Sequence, residues 1–228
     1  MSNHNMTDFT KVGQEVSEQE IVLSKTYRLL ALSFLPCALG AVVGMFFNPF
    51  VMISNYWVAI IAFFGFFYGM CFLIEKNRYS HIGAILLMVF TFGMGLMLSP
   101  LLAYASMVDG GKLVAVAAVM TATIFFAMAA MARRANINTH ALGSFLGIGG
   151  IVIMIGVIAN LFLQLPVLSL TLAGLFVIFS SAVIMWQVRT VIEGGEDSHI
   201  SAALTIFISL YNLFSSLLRI LIAIAGDD

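Results

Sequence analysis

Seven long apolar runs, separated by short polar breaks, occupy the chain at about 27–47, 51–74, 81–103, 113–132, 140–163, 167–187 and 200–225. Each reaches the roughly 20 residues that a helix needs to cross a bilayer. The pattern predicts an all-α membrane protein of seven transmembrane helices. The seventh run differs from the rest because it carries Ser201, Thr205, Ser209, Asn212, Ser216 and Arg219. At about 100° per residue these six fall within an arc of roughly 80°. Such a helix cannot show lipid on all sides, since an unpaired polar group in hydrocarbon is costly. Its seam is expected to be covered by the other spans or to face a hydrated crevice.

The breaks alternate in charge. Asn48-Pro49-Phe50 and Gln164-Leu165-Pro166 carry none. The other breaks hold Lys76 and Arg78, then Arg133 and Arg134, then Arg189. With Lys11, Lys25 and Arg28 ahead of the first span, eight basic residues share one side, against Lys112 and Arg219 on the other. The positive-inside rule then places the N-terminus in the cytoplasm and the C-terminus outside. An odd number of spans requires the same arrangement.

Residues 1–24 are polar and mildly acidic (Asp8, Glu15, Glu18, Glu20), with no basic region joined to a short apolar core. They are therefore not a cleavable signal, and the first span is expected to serve as its own insertion signal. So polar a segment cannot bury enough apolar surface to offset the entropy of ordering. It is expected to be a flexible cytoplasmic leader, with residues 25–228 forming one transmembrane domain. No internal repeat is visible.

Composition agrees with a bilayer as solvent. Apolar residues make up 61% of the chain and charged ones 9%, against roughly 25% charged in soluble domains, and the mean hydropathy is +1.06. A net charge of −1 argues against nucleic-acid binding. Cys37 and Cys71 fall inside spans and read as buried thiols rather than a disulfide or metal pair. Small residues recur four apart at Gly40 and Gly44, Gly65 and Gly69, and Gly143 and Gly147. Ordinary packing within one bundle outweighs an oligomer interface as their explanation.

Catalytic chemistry has little to stand on. His81, His140 and His199 lie at helix ends and His4 in the leader, and there is no HExxH, CxxC or phosphate-binding glycine loop. No Asp or Glu lies well inside a span. No catalytic residue, metal ligand set or cofactor is expected, and the chain does not read as an enzyme. Within the seventh run, Ser209 lies about 13 Å from Ile200, near the bilayer centre, and Arg219 about 9 Å from the outer end. Two readings stand for Arg219: snorkelling to the headgroups, or bonding to neighbouring helices inside the seam. Asn212 can bridge helices, and Asp197 or Ser198 can cap the last helix.

Ser209-Leu210-Tyr211-Asn212-Leu213-Phe214, then Leu217-Leu218-Arg219 and a terminal Asp227-Asp228, resemble the end of the Bax-inhibitor/YccA family. Ala159-Asn160-Leu161-Phe162-Leu163-Gln164-Leu165-Pro166, the Ile192 to Gly195 turn and Lys25-Thr26-Tyr27 are similar to its bacterial YccA-like branch. The resemblance implies a last helix that is central and wrapped by the other six. It also implies a calcium-leak function governed by an acidic pair on the sixth and seventh helices, with a basic latch after the second. Here the acidic positions fall on Gln187 and Ser209, both neutral, and the latch falls within Lys76 to Arg78. The branch further implies a bacterial inner-membrane protein that modulates the membrane AAA protease FtsH, with HflK–HflC, and is itself a slow substrate. A pH-sensitive calcium or cation leak is the alternative, weakened by loss of the acids, because hard cations favour carboxylate oxygens. The bilayer, FtsH and HflK–HflC are the expected partners; calcium is a doubtful one.

Overall fold

The computed structural model describes residues 3–48, 53, 55–134 and 138–226. Its helices are α1 Asn3–Phe46, α2 Tyr56–Lys76, α3 His81–Asp109, α4 Lys112–Arg134, α5 Thr139–Leu163, α6 Pro166–Ile192 and α7 His199–Ala225. All seven hold a stretch long and apolar enough to cross a membrane, which in α1 covers Glu18–Phe46. The fold is an all-α, seven-span membrane protein. Pro49, Phe50, Asp227 and Asp228 lie outside the described residues.

Helical backbone starts at Asn3 and runs without a break into the first span. The run from Gln14 to Tyr27 contains no Gly or Pro to stop it. Extending an existing helix also avoids the cost of nucleating a new one.

The helix ends are set by local chemistry. The side chains of Asn55, Ser80, Asn138 and Ser198 cap α2, α3, α5 and α7 by accepting free N–H groups of the first turn. Gly110 ends α3 at φ 58°, in the left-handed region that glycine enters without a Cβ penalty. Pro166 opens α6, where its missing N–H is not needed.

Among the described residues, helix α7 packs against α1, α2, α3, α4 and α6, whereas the backbone of α5 packs against α6 and not α7, and its Phe162 ring meets Trp57 of α2 at 5.2 Å. The backbones of α1 and α4 do not approach each other among the described residues, nor do those of α2 and α5. These two gaps expose different faces of α7.

The tightest pairing is α1 on α3. A Cβ at Gly40 would lie 2.1 Å from the Phe92 carbonyl oxygen, and one at Gly95 would lie 2.0 Å from that of Cys37. In lipid there is no hydrophobic drive between helices, so such close backbone approach supplies the van der Waals attraction. Asn48 adds a polar stitch, its Nδ2 donating to Leu96 O at 2.7 Å and Ser99 Oγ at 2.9 Å. Gly40 and Gly44 therefore serve packing within the chain. A Cβ at Gly65, Gly69 or Gly147 would meet nothing within 4 Å. Cys37 and Cys71 are free thiols.

Gly40→Val and Gly95→Val should each destabilise the purified protein by about 1–3 kcal/mol or more, the range for overpacking a filled interior. Gly65→Val should change stability by less than about 0.5 kcal/mol. Thermal unfolding in detergent, comparing the three, checks this; equal effects would remove the special status of the α1–α3 seam.

Candidate functional site

Polar groups gather where the α2–α3 loop meets the α6–α7 loop. Ser80 can cap α3 only if the chain turns sharply after Lys76, and this turn brings Arg78 to the start of α7. The Arg78 guanidinium pairs with Glu196, lies 3.2 Å from Asp197 Oδ1 and 3.5 Å from Glu75 Oε2. Tyr79 donates to Asp197 at 2.9 Å, and Ser198 Oγ donates to the Arg78 carbonyl at 2.7 Å. Burial disfavours the charge on Arg78, but Glu196, Tyr79, Glu75 and Asp197 outweigh it and push its pKa up. The hydrogen bond to Asp197 likewise raises the Tyr79 phenol, which stays protonated as a donor.

A second tie lies beside it. Arg189 Nε meets Glu193 Oε1 at 2.6 Å, and Thr139 donates to Glu193 Oε2 at 2.7 Å. Arg189 also donates to the Ala132 carbonyl at 3.3 Å, so the end of α6 holds the α4–α5 junction. The bonds from Thr139 and Arg189 lower the Glu193 pKa. What this tie contributes is present above the unfolded carboxylate value and is lost as pH falls through the lowered one. Together the two ties form a collar at the end of the bundle that carries most of the basic residues.

The polar seam of α7 divides into three parts. At the collar, Ser201 Oγ donates to the Glu75 carboxylate, 2.8 and 2.7 Å from its two oxygens. A carboxylate thus does reach the seam, delivered by α2. In the middle, Ser209 is buried and donates to the Thr205 carbonyl at 2.8 Å, satisfied within its own helix. At the far end Asn212, Ser216 and Arg219 line a crevice of about 610 Å3 in the gap between α2 and α5. Asn160 and Ser169 face it as well, joined by a 3.1 Å hydrogen bond.

Gln187 and Ser209 are both buried, and no hydrogen bond joins them among the described residues. Of the two basic residues in the latch region, Arg78 enters the ion pairs. Lys76 is exposed at the end of α2 and has no ion pair among the described residues. Ser198 rather than Asp197 caps α7, which leaves the aspartate for Arg78 and Tyr79. Glu196 and Asp197 were not legible as partners of Arg78, because 118 and 119 residues separate them from it. The clustering of three acids, Glu193, Glu196 and Asp197, in one short break was the available signal.

The family described as "Inhibitor of apoptosis-promoting Bax1" matches residues 19–226. The chain belongs to the Bax-inhibitor family. It is 53% identical over 228 residues to an uncharacterized protein of Neisseria meningitidis serogroup A, covering 99% of both chains. It is 37% identical over 154 residues to a protein of Escherichia coli K12 named "Modulator of FtsH protease YccA", covering 68% of this chain and 70% of that one. An E. coli O6:H1 relative with the same identity and coverage is named "Inner membrane protein YccA". As a member of the Bax-inhibitor family with seven spans, the chain is a multi-pass membrane protein.

Arg78→Gln should free the α6–α7 loop from the α2–α3 loop. The cost should be about 1 kcal/mol, because water partly screens these ion pairs. Hydrogen exchange at residues 193–201 should rise while exchange in the α1–α3 pair stays unchanged. Lys76→Gln should leave both patterns as they are.

Proposed function

We propose that this protein is a regulator of the bacterial inner membrane that engages the membrane AAA protease FtsH, with HflK–HflC as companions, and is itself degraded slowly. The observation that carries this reading is the 37% identity to a protein named as a modulator of that protease. The neutral Gln187 and Ser209 support it, since a divalent-ion gate has no carboxylates at those positions. Placing the basic collar in the cytoplasm follows from the positive-inside rule and puts the N-terminus on the same side. The leader would then be a handle within reach of an ATP-driven unfoldase. A polar helix is marginal in water and opens readily, whereas the spans keep every backbone group paired and resist extraction. A protease pulling on residues 1–24 would engage easily and stall on the bundle.

Deleting residues 2–20 should lengthen the half-life in cells that contain FtsH. Pull-down of the truncated protein from nanodisc membranes should still recover FtsH through the membrane part. Equal decay of both forms, unchanged on FtsH depletion and with no FtsH recovered, would overturn the reading.

The polar crevice favours a second reading, a weak cation or calcium leak. Two features count against it. Ser209 and its surroundings close the middle of the seam, and Arg219 places a positive charge in the crevice. Glu75, Glu196 and Asp197 are gathered around Arg78, and among the described residues no acidic group is arranged to hold a metal ion. In proteoliposomes the wild-type protein should therefore show little calcium flux and no carboxylate-pair pH switch. Gln187→Asp with Ser209→Asp should introduce pH dependence, because buried neighbouring carboxylates titrate above the usual range. A strong pH-gated leak in the wild type would assign gating to Glu75 or Glu193.

A further inference from the structure

The gap between α1 and α4 is an apolar groove of about 980 Å3, floored by Phe207 and Phe214 of α7. The α4 side of the groove includes the small residues Ala118 and Ala122, with Phe125 and Phe126 nearer the collar. The groove extends from Tyr27 to Ala41 along α1, which is about 21 Å at ~1.5 Å per residue. One leaflet's hydrocarbon is about 15 Å deep, so the groove follows a membrane-spanning path past the midplane.

Its collar end is polar. The Tyr27 hydroxyl is buried beside Arg133 and has no well-formed hydrogen bond among the described residues. Arg133 lines the same mouth and, unlike Arg78 and Arg189, has no ion-pair partner among the described residues. A buried hydroxyl in need of an acceptor and an unneutralised guanidinium together suit a phosphate oxygen.

We propose that this groove binds one anionic phospholipid, with an acyl chain lying along α7 and the phosphate held by Arg133 and Tyr27. An acyl chain brings no polar atoms into the apolar part, whereas an irregular peptide would leave backbone groups unpaired there. The lipid would complete the seventh helix's apolar cover where α1 and α4 stand apart.

Native mass spectrometry of delipidated, detergent-solubilised full-length protein tests this, using phosphatidylglycerol and phosphatidylcholine with identical chains. A single phosphatidylglycerol adduct is expected, roughly tenfold tighter than the phosphatidylcholine one. Arg133→Gln should abolish that preference, whereas Arg134→Gln, beside it but outside the groove, should preserve it. Ala122→Phe should block binding of both lipids, and Ala118→Phe serves the same purpose if the first variant melts early. Multiple adducts without headgroup preference, an adduct that survives both groove-filling variants, or full competition by soluble glycerol phosphate would overturn the proposal.

Discussion

A bilayer offers no water to a stranded hydroxyl, amide or guanidinium, so each polar side chain on a spanning helix must be answered by protein or reach an aqueous opening. Helix α7 gathers Ser201, Thr205, Ser209, Asn212, Ser216 and Arg219 on one face, and the surrounding architecture meets this demand piece by piece. Ser201 is answered by Glu75 from α2, and Ser209 by the carbonyl of Thr205 one turn earlier. Asn212, Ser216 and Arg219 open into the α2–α5 crevice. The opposite face of α7 is apolar and is covered by α1, α3 and α4, except along the groove.

Much of this was legible in the sequence, because length and hydropathy report the bilayer directly. The spans were visible as apolar runs, and Ser198 was visible as a cap because capping is local chemistry. The Arg78 collar was not: its partners come from the other end of the chain, and pairing across 118 residues leaves no periodic trace. Small-residue spacing was equally silent about direction. Gly40 and Gly65 stand in the same four-residue pattern, yet a Cβ at Gly40 would strike the Phe92 carbonyl and one at Gly65 would meet open space. Spacing says that a face is smooth; only the fold says what lies against it. In residues 3–24, composition reports the lack of a core, whereas the helical backbone there continues a helix already started.

The two gaps around α7 differ in chemistry for a reason visible in their walls. The α1–α4 groove is lined mostly by Ala, Phe and Leu, with its one charged group, Arg133, at the collar end and only the hydroxyls of Thr121 and Tyr211 farther along. The α2–α5 crevice receives Asn160, Ser169 and Arg219 toward the opposite end. Hydrocarbon suits the first and water the second. A helix with an apolar groove on one flank and a polar crevice on the other resists rotation about its axis, since turning would bring Asn212 or Arg219 toward the apolar side.

That rotational constraint bears on how such a bundle would respond to force at its N-terminus. Helix α1 is joined to α3 by backbone contact along Gly40, Gly44 and Gly95, and by Asn48 at the end farther from the collar. Its collar end instead passes close to the α6–α7 turn, where a Cβ on Gly194 would lie 2.8 Å from Gln19 Nε2. Force on the leader therefore reaches the collar before it loads the glycine seam. The collar is made of ion pairs that are partly exposed to water, which individually contribute little; the seam is close-packed in lipid, with no water to replace its contacts. The weak element comes first and the strong one second. A puller would gain purchase on the first turns of α1 and then meet a step in resistance, and the proposed slow processing rests on that step.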